Sequence, residues 1–96
     1  MTPRTQVYEA IDSEREYQDA KWGGTLSGDR QPTAEQPAGY RTCDEFCMYI
    51  VGYSHQLLDN ASRFSSTDDK LQIVRKIAGL CVACMEQHGA PKREVV

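Results

Sequence analysis

The segment EREYQDAKWGG, which begins at Glu14, concentrates side chains that can bind an anion or a planar ring. Glu14, Gln18 and Lys21 follow one another at spacings of four and three residues, so in a helix they share one face. Lys21 can contact a phosphate, and Tyr17 or Trp22 can stack on a base, an interaction worth about 1–3 kcal/mol. The alternative is a surface contact of Lys21 with Glu14, as an ion pair, or with Gln18, as a hydrogen bond, with Trp22 packed as an anchor of the helix.

A second group of aromatic and polar side chains lies midway along the sequence. Tyr49 and Tyr53 are one helical turn apart, and His55 and Gln56 follow directly. Phenol and imidazole groups can stack and form hydrogen bonds, so Tyr49, Tyr53 and His55 are candidate ligand contacts. The alternative is core packing of the tyrosines with their hydroxyls at the rim, and a hydrogen-bonded surface histidine.

Positive charge follows this group, at Arg63, Lys70, Arg75 and Lys76. Most charged residues of a helix are only solvated. Arg75 or Lys76, facing the loop of a partner subunit, can nevertheless bind a phosphate. The guanidinium of Arg75 can bind two phosphate oxygens at once, so Arg75 is a further candidate ligand contact.

The four cysteines form the pairs Cys43-x-x-x-Cys47 and Cys81-x-x-Cys84. Four thiolates satisfy tetrahedral zinc. Both pairs, however, fall inside predicted helices rather than on turns, and Cys81 and Cys84 have apolar neighbours, among which cysteine acts as a small hydrophobic residue. We therefore predict free thiols, as expected in a reducing compartment, and no zinc site.

Hydrophobic periodicity predicts three helices. In the first, Val7, Ile11 and Tyr17 recur at rough helical spacing with charges between them. A stretch containing four glycines and two prolines follows, which predicts a long loop. The predicted elements are helices at about 4–21, 43–63 and 68–88, a loop over 23–41 and a tail over 90–96.

The ends of these helices carry recognisable signals. Thr42 and Glu45 have the spacing of a capping box at the start of the second helix, and Ser66 and Asp69 have it at the third. Gly23 and Gly24 suit the end of the first helix, and Gly89 followed by Pro91 suits the end of the third.

The third predicted helix is apolar over most of its circumference, so it must be covered on several sides. Two further helices of one chain cannot easily do this. We therefore expect an all-α fold whose four-helix-type core forms by oligomerisation, most simply a dimer that pairs the second and third helices.

Composition limits the class of protein. The chain has 96 residues, enough for one domain, and a formal net charge of −3, which argues against binding of long nucleic acid. No apolar run approaches the roughly 18 residues of a membrane span, and the N-terminal sequence MTPRTQVYEAIDSE has no apolar core typical of a signal peptide. We expect a cytoplasmic protein without membrane contact.

Two motifs resemble those of small phage-encoded MazG-like proteins: Glu-Arg-x-x-Gln-x-x-Lys-Trp-Gly from Glu14, and VRKIAGLCVACMEQHGAPKR from Val74. The resemblance implies a helix bundle, often dimeric, related to nucleoside triphosphate pyrophosphohydrolases, located in the cytoplasm of the host cell. In that family a Glu-Glu-x-x-Glu motif and a Glu-x-x-Asp motif hold Mg²⁺, which neutralises the triphosphate while a water attacks it.

The sequence departs from the family pattern at the metal site. Where the acidic cluster is expected, the chain reads IVGYSHQ from Ile50, with no carboxylate between Glu45 and Asp59. The resulting hypothesis is a protein that binds and sequesters a nucleotide without hydrolysis and without a cofactor. A cyclic-nucleotide signal of host antiviral immunity is one such ligand.

Two alternatives remain open. The first is a Mg²⁺-dependent pyrophosphohydrolase with a different acid set, formed by Glu14, Glu45, Asp59 and either Asp68 or Asp69. The second is an interaction protein that inhibits a host factor by surface contact, which predicts an exposed apolar patch and no ligand.

Overall fold

Three α-helices make up most of the described chain. The computed structural model describes residues 1–22, 39–62 and 66–94. Helix α1 spans Arg4–Trp22, α2 spans Cys43–Ser62 and α3 spans Thr67–His88. Each begins and ends within one residue of its predicted bounds, and these described ranges contain no strand, so the all-α prediction is confirmed. The predicted loop lies largely outside the described residues.

Capping residues set the helix ends as predicted. The Thr42 hydroxyl accepts a hydrogen bond from the Glu45 amide at 3.1 Å, and the Glu45 carboxylate accepts one from the Thr42 amide at 3.1 Å. Ser66 and Asp69 form the same reciprocal pair at the start of α3. Gly89, with φ of +120°, ends α3. The predicted stop at Gly23 and Gly24 lies outside the described residues.

The apolar core lies between α2 and α3. Helix α3 contacts both other helices, whereas α1 and α2 do not approach each other within 8 Å between Cα atoms. Phe46 of α2 and Leu80 of α3 are fully buried, and Ala83 completes the cluster. Three partly buried side chains pack against them: Ile50, Tyr53 and Cys84.

Around Glu14 and Gln18 the interface between α1 and α3 is polar, which the apolar spacing of the first helix did not predict. Val7 and Tyr17 remain 42% and 59% exposed, whereas Glu14 and Gln18 are buried at 5% and 4%. These two polar side chains can be buried because they form hydrogen bonds within the interface.

Several large apolar side chains stay exposed in the single chain. Met48, Val51 and Leu58 lie on the side of α2 that does not contribute to the core, and they are 72%, 55% and 68% exposed. On α3, Leu71 and Val74 are about half exposed. The covering of α3 on several sides, expected from its sequence, is therefore incomplete in one chain.

No helix in the described part of the chain is both long and apolar enough to cross a lipid bilayer.

Candidate functional site

Helices α1 and α3 border an open cleft of about 390 Å³. Its lining consists of Ser13, Glu14 and Tyr17 from α1, and Arg75 and Lys76 from α3. Three of the residues predicted from the sequence as ligand contacts, Glu14, Tyr17 and Arg75, therefore meet at one place. Lys76, which the sequence offered together with Arg75 as a possible phosphate contact, also lines the cleft.

An ion pair across the two helices organises the cleft. Arg75 Nε donates to Glu14 Oε1 at 3.0 Å, and Gln18 Nε2 donates to Glu14 Oε2 at 3.2 Å. The sequence left open a surface contact between Glu14 or Gln18 and Lys21. The carboxylate of Glu14 pairs instead with Arg75, because α1 turns this face towards α3.

The guanidinium of Arg75 keeps capacity for a ligand. Its side chain is 35% exposed, whereas that of Glu14 is 5% exposed. Only Nε is used by Glu14, and within the described residues the two terminal nitrogens of Arg75 have no protein acceptor. A guanidinium held in this way presents two donors to an anion without having to be ordered first.

Gly79 allows α1 to approach α3 this closely. A Cβ atom at position 79 would lie 2.7 Å from Gln18 Nε2 and 2.7 Å from Glu14 Cγ. A Cβ atom essentially never comes within 3.0 Å of another heavy atom in this way, so any larger residue would push the two polar side chains away.

Arg15 fixes Gln18 from the other side of α1. Its Nε donates to Glu86 at 2.6 Å, one terminal nitrogen donates to Asp19 at 2.9 Å, and the other donates to Gln18 Oε1 at 3.1 Å. Burial acts to lower the pKa of Arg15, but its hydrogen bonds and charge interactions with Glu86 and Asp19 outweigh burial and raise that pKa. Arg15 therefore stays charged and holds α1 on α3.

Two lysines lie beside aromatic rings at the edge of the cleft. Lys21 Nζ is 6.0 Å from the centroid of the Tyr17 ring, and Lys76 Nζ is 5.8 Å from the centroid of the Tyr53 ring. Such exposed cation–π contacts contribute about 0.5–1 kcal/mol. Tyr53 of α2 therefore contacts a residue of the cleft, Lys76. Lys21 likewise contacts a residue of the cleft, Tyr17.

The remaining predicted contacts are not part of this cleft. Tyr49 and His55 lie on α2 with exposed side chains and do not line it. Trp22 is the last residue of α1, and its side chain lies outside what the structure describes. The cleft thus brings together Glu14 and Tyr17 of α1 with Arg75 of α3, and Tyr53 of α2 contacts its Lys76.

Three carboxylates of the alternative metal site have other partners. Glu45 and Asp69 cap α2 and α3, and Glu14 is paired with Arg75. Within the described ranges, no three His, Cys, Asp or Glu residues are placed to hold one metal ion. The structure therefore does not assemble the acid set Glu14, Glu45, Asp59 and Asp68 or Asp69.

A group of residues not singled out in the sequence joins the chain before α2 to the end of α3. The Arg41 amide donates to Gln87 Oε1 at 3.0 Å, and Gln87 Nε2 donates to the Gly39 carbonyl at 3.2 Å. His88 Nε2 lies 2.8 Å from the Arg41 carbonyl, and its ring meets Phe46 edge-on at 6.1 Å. The available signal was the polar Gln87-His88 pair in the last helical turn, where carbonyl groups lack partners.

Comparison of the chain with protein-family models, curated proteins and solved structures gives no match.

Proposed function

We propose that this protein binds a nucleotide in the cleft between α1 and α3 and sequesters it without hydrolysis. The supporting observation is that one cleft is lined by two cations, Arg75 and Lys76, and by the exposed ring of Tyr17. Phosphate groups and a planar base need these two kinds of contact.

Each part of the ligand has a specific partner. The terminal nitrogens of Arg75, which have no acceptor among the described residues, and the ammonium group of Lys76 bind phosphate oxygens, while Glu14 keeps the Arg75 side chain in place. Tyr17, more than half exposed, stacks on the base. Lys21, near the Tyr17 ring, adds charge at the outer side.

Sequestration fits this site better than hydrolysis does. The protein neutralises phosphate with side-chain cations, and its Glu14 carboxylate is already occupied by Arg75. We propose a small MazG-like protein of phage origin whose acidic cluster has been lost, with a cyclic-nucleotide immune signal among its ligands. The resemblance of the EREYQDAKWGG and VRKIAGLCVACMEQHGAPKR segments to that family supports this proposal.

We further propose that the functional form is a dimer. The exposed apolar side of α2, formed by Met48, Val51 and Leu58, would be costly to leave in water. Among the described residues only four apolar side chains are buried: Phe46, Ile73, Leu80 and Ala83. A second copy packing against α2 would enlarge this small core. A host protein on the same face is the competing possibility.

Substitutions in the cleft test the binding site. In Tyr17→Ala the loss of one stacking contact, about 1–3 kcal/mol, weakens nucleotide binding roughly 5- to 150-fold. Lys76→Ala weakens it about tenfold through loss of one phosphate contact. Calorimetric titration with nucleoside triphosphates and cyclic dinucleotides measures both effects.

Lys92→Ala is the control for the loss of one positive charge, because Lys92 is exposed beyond α3 and does not line the cleft. Unchanged affinity in Tyr17→Ala and Lys76→Ala, with both variants folded, would contradict the proposed site.

A further inference from the structure

Two cysteines distant in sequence meet between α2 and α3. The sulfur atoms of Cys43 and Cys84 are 3.8 Å apart, although 41 positions separate the residues. Cys43 is the first residue of α2 and is exposed, whereas Cys84 is half-buried against the core cluster. All four cysteines are free thiols in this structure.

We propose that Cys43 and Cys84 form a redox-active pair that closes to an intramolecular disulfide and locks α2 onto α3. At 3.8 Å the two sulfur atoms are in van der Waals contact, whereas a disulfide bond needs them about 2.05 Å apart. The two side chains therefore have to adjust before the bond can form. Cys43 is at the end of its helix and exposed, so it is the sulfur that an oxidant reaches first.

The reaction needs a small-molecule disulfide such as oxidised glutathione. The thiolate of Cys43 attacks one sulfur of the small disulfide, and one small thiol leaves as the mixed disulfide forms. The thiolate of Cys84 then attacks the Cys43 sulfur, and the second small thiol leaves. The protein loses two electrons and two protons, and the small disulfide gains them to become two thiols.

The other two cysteines provide matched controls. Cys47 is one helical turn from Cys43 on the same helix, and Cys81 is one turn from Cys84 on α3. Among the described residues, neither thiol is within hydrogen-bonding distance of a thiol of another helix. If proximity across the helices decides the reaction, Cys47→Ser and Cys81→Ser leave it intact, whereas Cys43→Ser and Cys84→Ser abolish it.

The pair is independent of the nucleotide cleft. Cys84 is eight residues after Lys76 on α3, which corresponds to about 12 Å of helix rise. Failure of one proposal therefore leaves the other unaffected.

The test is a redox titration of the full chain in glutathione buffers. Samples are quenched with acid and alkylated, and their peptides are identified by mass spectrometry without reduction. The expected product is a monomer in which the peptide containing Cys43 is linked to the peptide containing Cys84, with a melting temperature above that of the reduced form.

Three outcomes would overturn the proposal. They are a link between Cys43 and Cys47, a link between two chains, and a stable glutathione adduct on Cys43 that is never displaced by Cys84. Retention of the expected link in Cys43→Ser or Cys84→Ser is chemically impossible, so these variants verify the assignment of the peptides.

Discussion

Glu14 has a structural role in addition to its place in the cleft. Its carboxylate is buried and accepts hydrogen bonds from Arg75 and Gln18. Burial of a carboxylate is tolerated only when its lone pairs are satisfied, and here both oxygens have a donor. The polar segment around Glu14 therefore holds two helices together before any ligand is considered.

Replacement of Glu14 by glutamine should destabilise the fold. Glu14→Gln keeps the shape but weakens a charged hydrogen bond, and we expect the free energy of unfolding to fall by about 1–3 kcal/mol. Denaturation in urea measures the change. Glu16→Gln, on the exposed side of α1, is the matched control and should stay within about 0.5 kcal/mol of the unmodified chain. Equal effects of the two substitutions would contradict the structural role.

At neutral pH, Cys43 should react with alkylating reagents more slowly than an exposed cysteine of ordinary pKa does. Its hydrogen bond with Cys84 raises the pKa of the Cys43 thiol above its ordinary value, so less of the reactive thiolate is present. Removal of the partner in Cys84→Ala lowers that pKa. The rate at which iodoacetamide alkylates Cys43 is measured by mass spectrometry over a range of pH. The pH at which this rate is half its maximum should be lower in Cys84→Ala. An unchanged pH of half-maximal rate would show that Cys84 does not influence Cys43.

At the level of helices, α1 and α2 bind α3 by different means. Helix α2 buries apolar side chains around Phe46 and Leu80, whereas α1 buries a hydrogen-bonded network next to Gly79. Apolar contact tolerates some repacking, but a polar interface depends on the positions of individual atoms. The α1 interface should therefore be the more sensitive of the two to small changes in side-chain volume.

Two glycine substitutions test this difference. In Gly79→Ala the new methyl group meets Gln18 and Glu14 at 2.7 Å, whereas in Gly52→Ala it meets no atom within 4 Å. Both changes gain helix propensity, worth about 1 kcal/mol at most. We expect Gly52→Ala to stabilise the protein and Gly79→Ala to be less stable than Gly52→Ala by about 1–3 kcal/mol. Thermal denaturation of both variants checks this, and equal stabilisation would rule out the close approach of α1.

The sequence predicted the helices better than their packing. Capping pairs such as Thr42 with Glu45 act over three residues, so their spacing alone located the start of α2. The partner of Glu14 lies 61 residues away, and nothing local identifies Arg75 as that partner. The one local signal was Gly79, because a glycine inside an apolar helical run often has a packing reason.

At the level of the whole molecule, four apolar side chains are buried among the described residues, whereas Met48, Val51 and Leu58 of α2 are each more than half exposed. Large exposed apolar patches are rare on monomers and mark interaction surfaces. The side of α2 with Met48, Val51 and Leu58 has this character, and His55 lies between them in sequence. The predicted dimer requires such a surface.

Val51→Asp should disrupt the proposed dimer. A charge placed in the middle of the apolar side of α2 must be desolvated on association, which costs several kcal/mol. Light scattering after size-exclusion chromatography should give twice the 10.8 kDa chain mass for the unmodified protein and one chain mass for Val51→Asp. Val7→Asp, at an exposed position of α1, should remain dimeric. A monomeric unmodified protein would contradict self-association and favour a different protein as the partner.

The most direct test of nucleotide sequestration is recovery of the ligand. The purified protein is incubated with nucleoside triphosphates and cyclic oligonucleotides in the presence of Mg²⁺ and separated from free ligand. It is then denatured, and the released compounds are identified by chromatography and mass spectrometry. We predict that an intact nucleotide is recovered from the unmodified protein and that less of it is recovered from Tyr17→Ala at the same ligand concentration. Appearance of monophosphate and pyrophosphate, or absence of any bound nucleotide, would contradict the proposal.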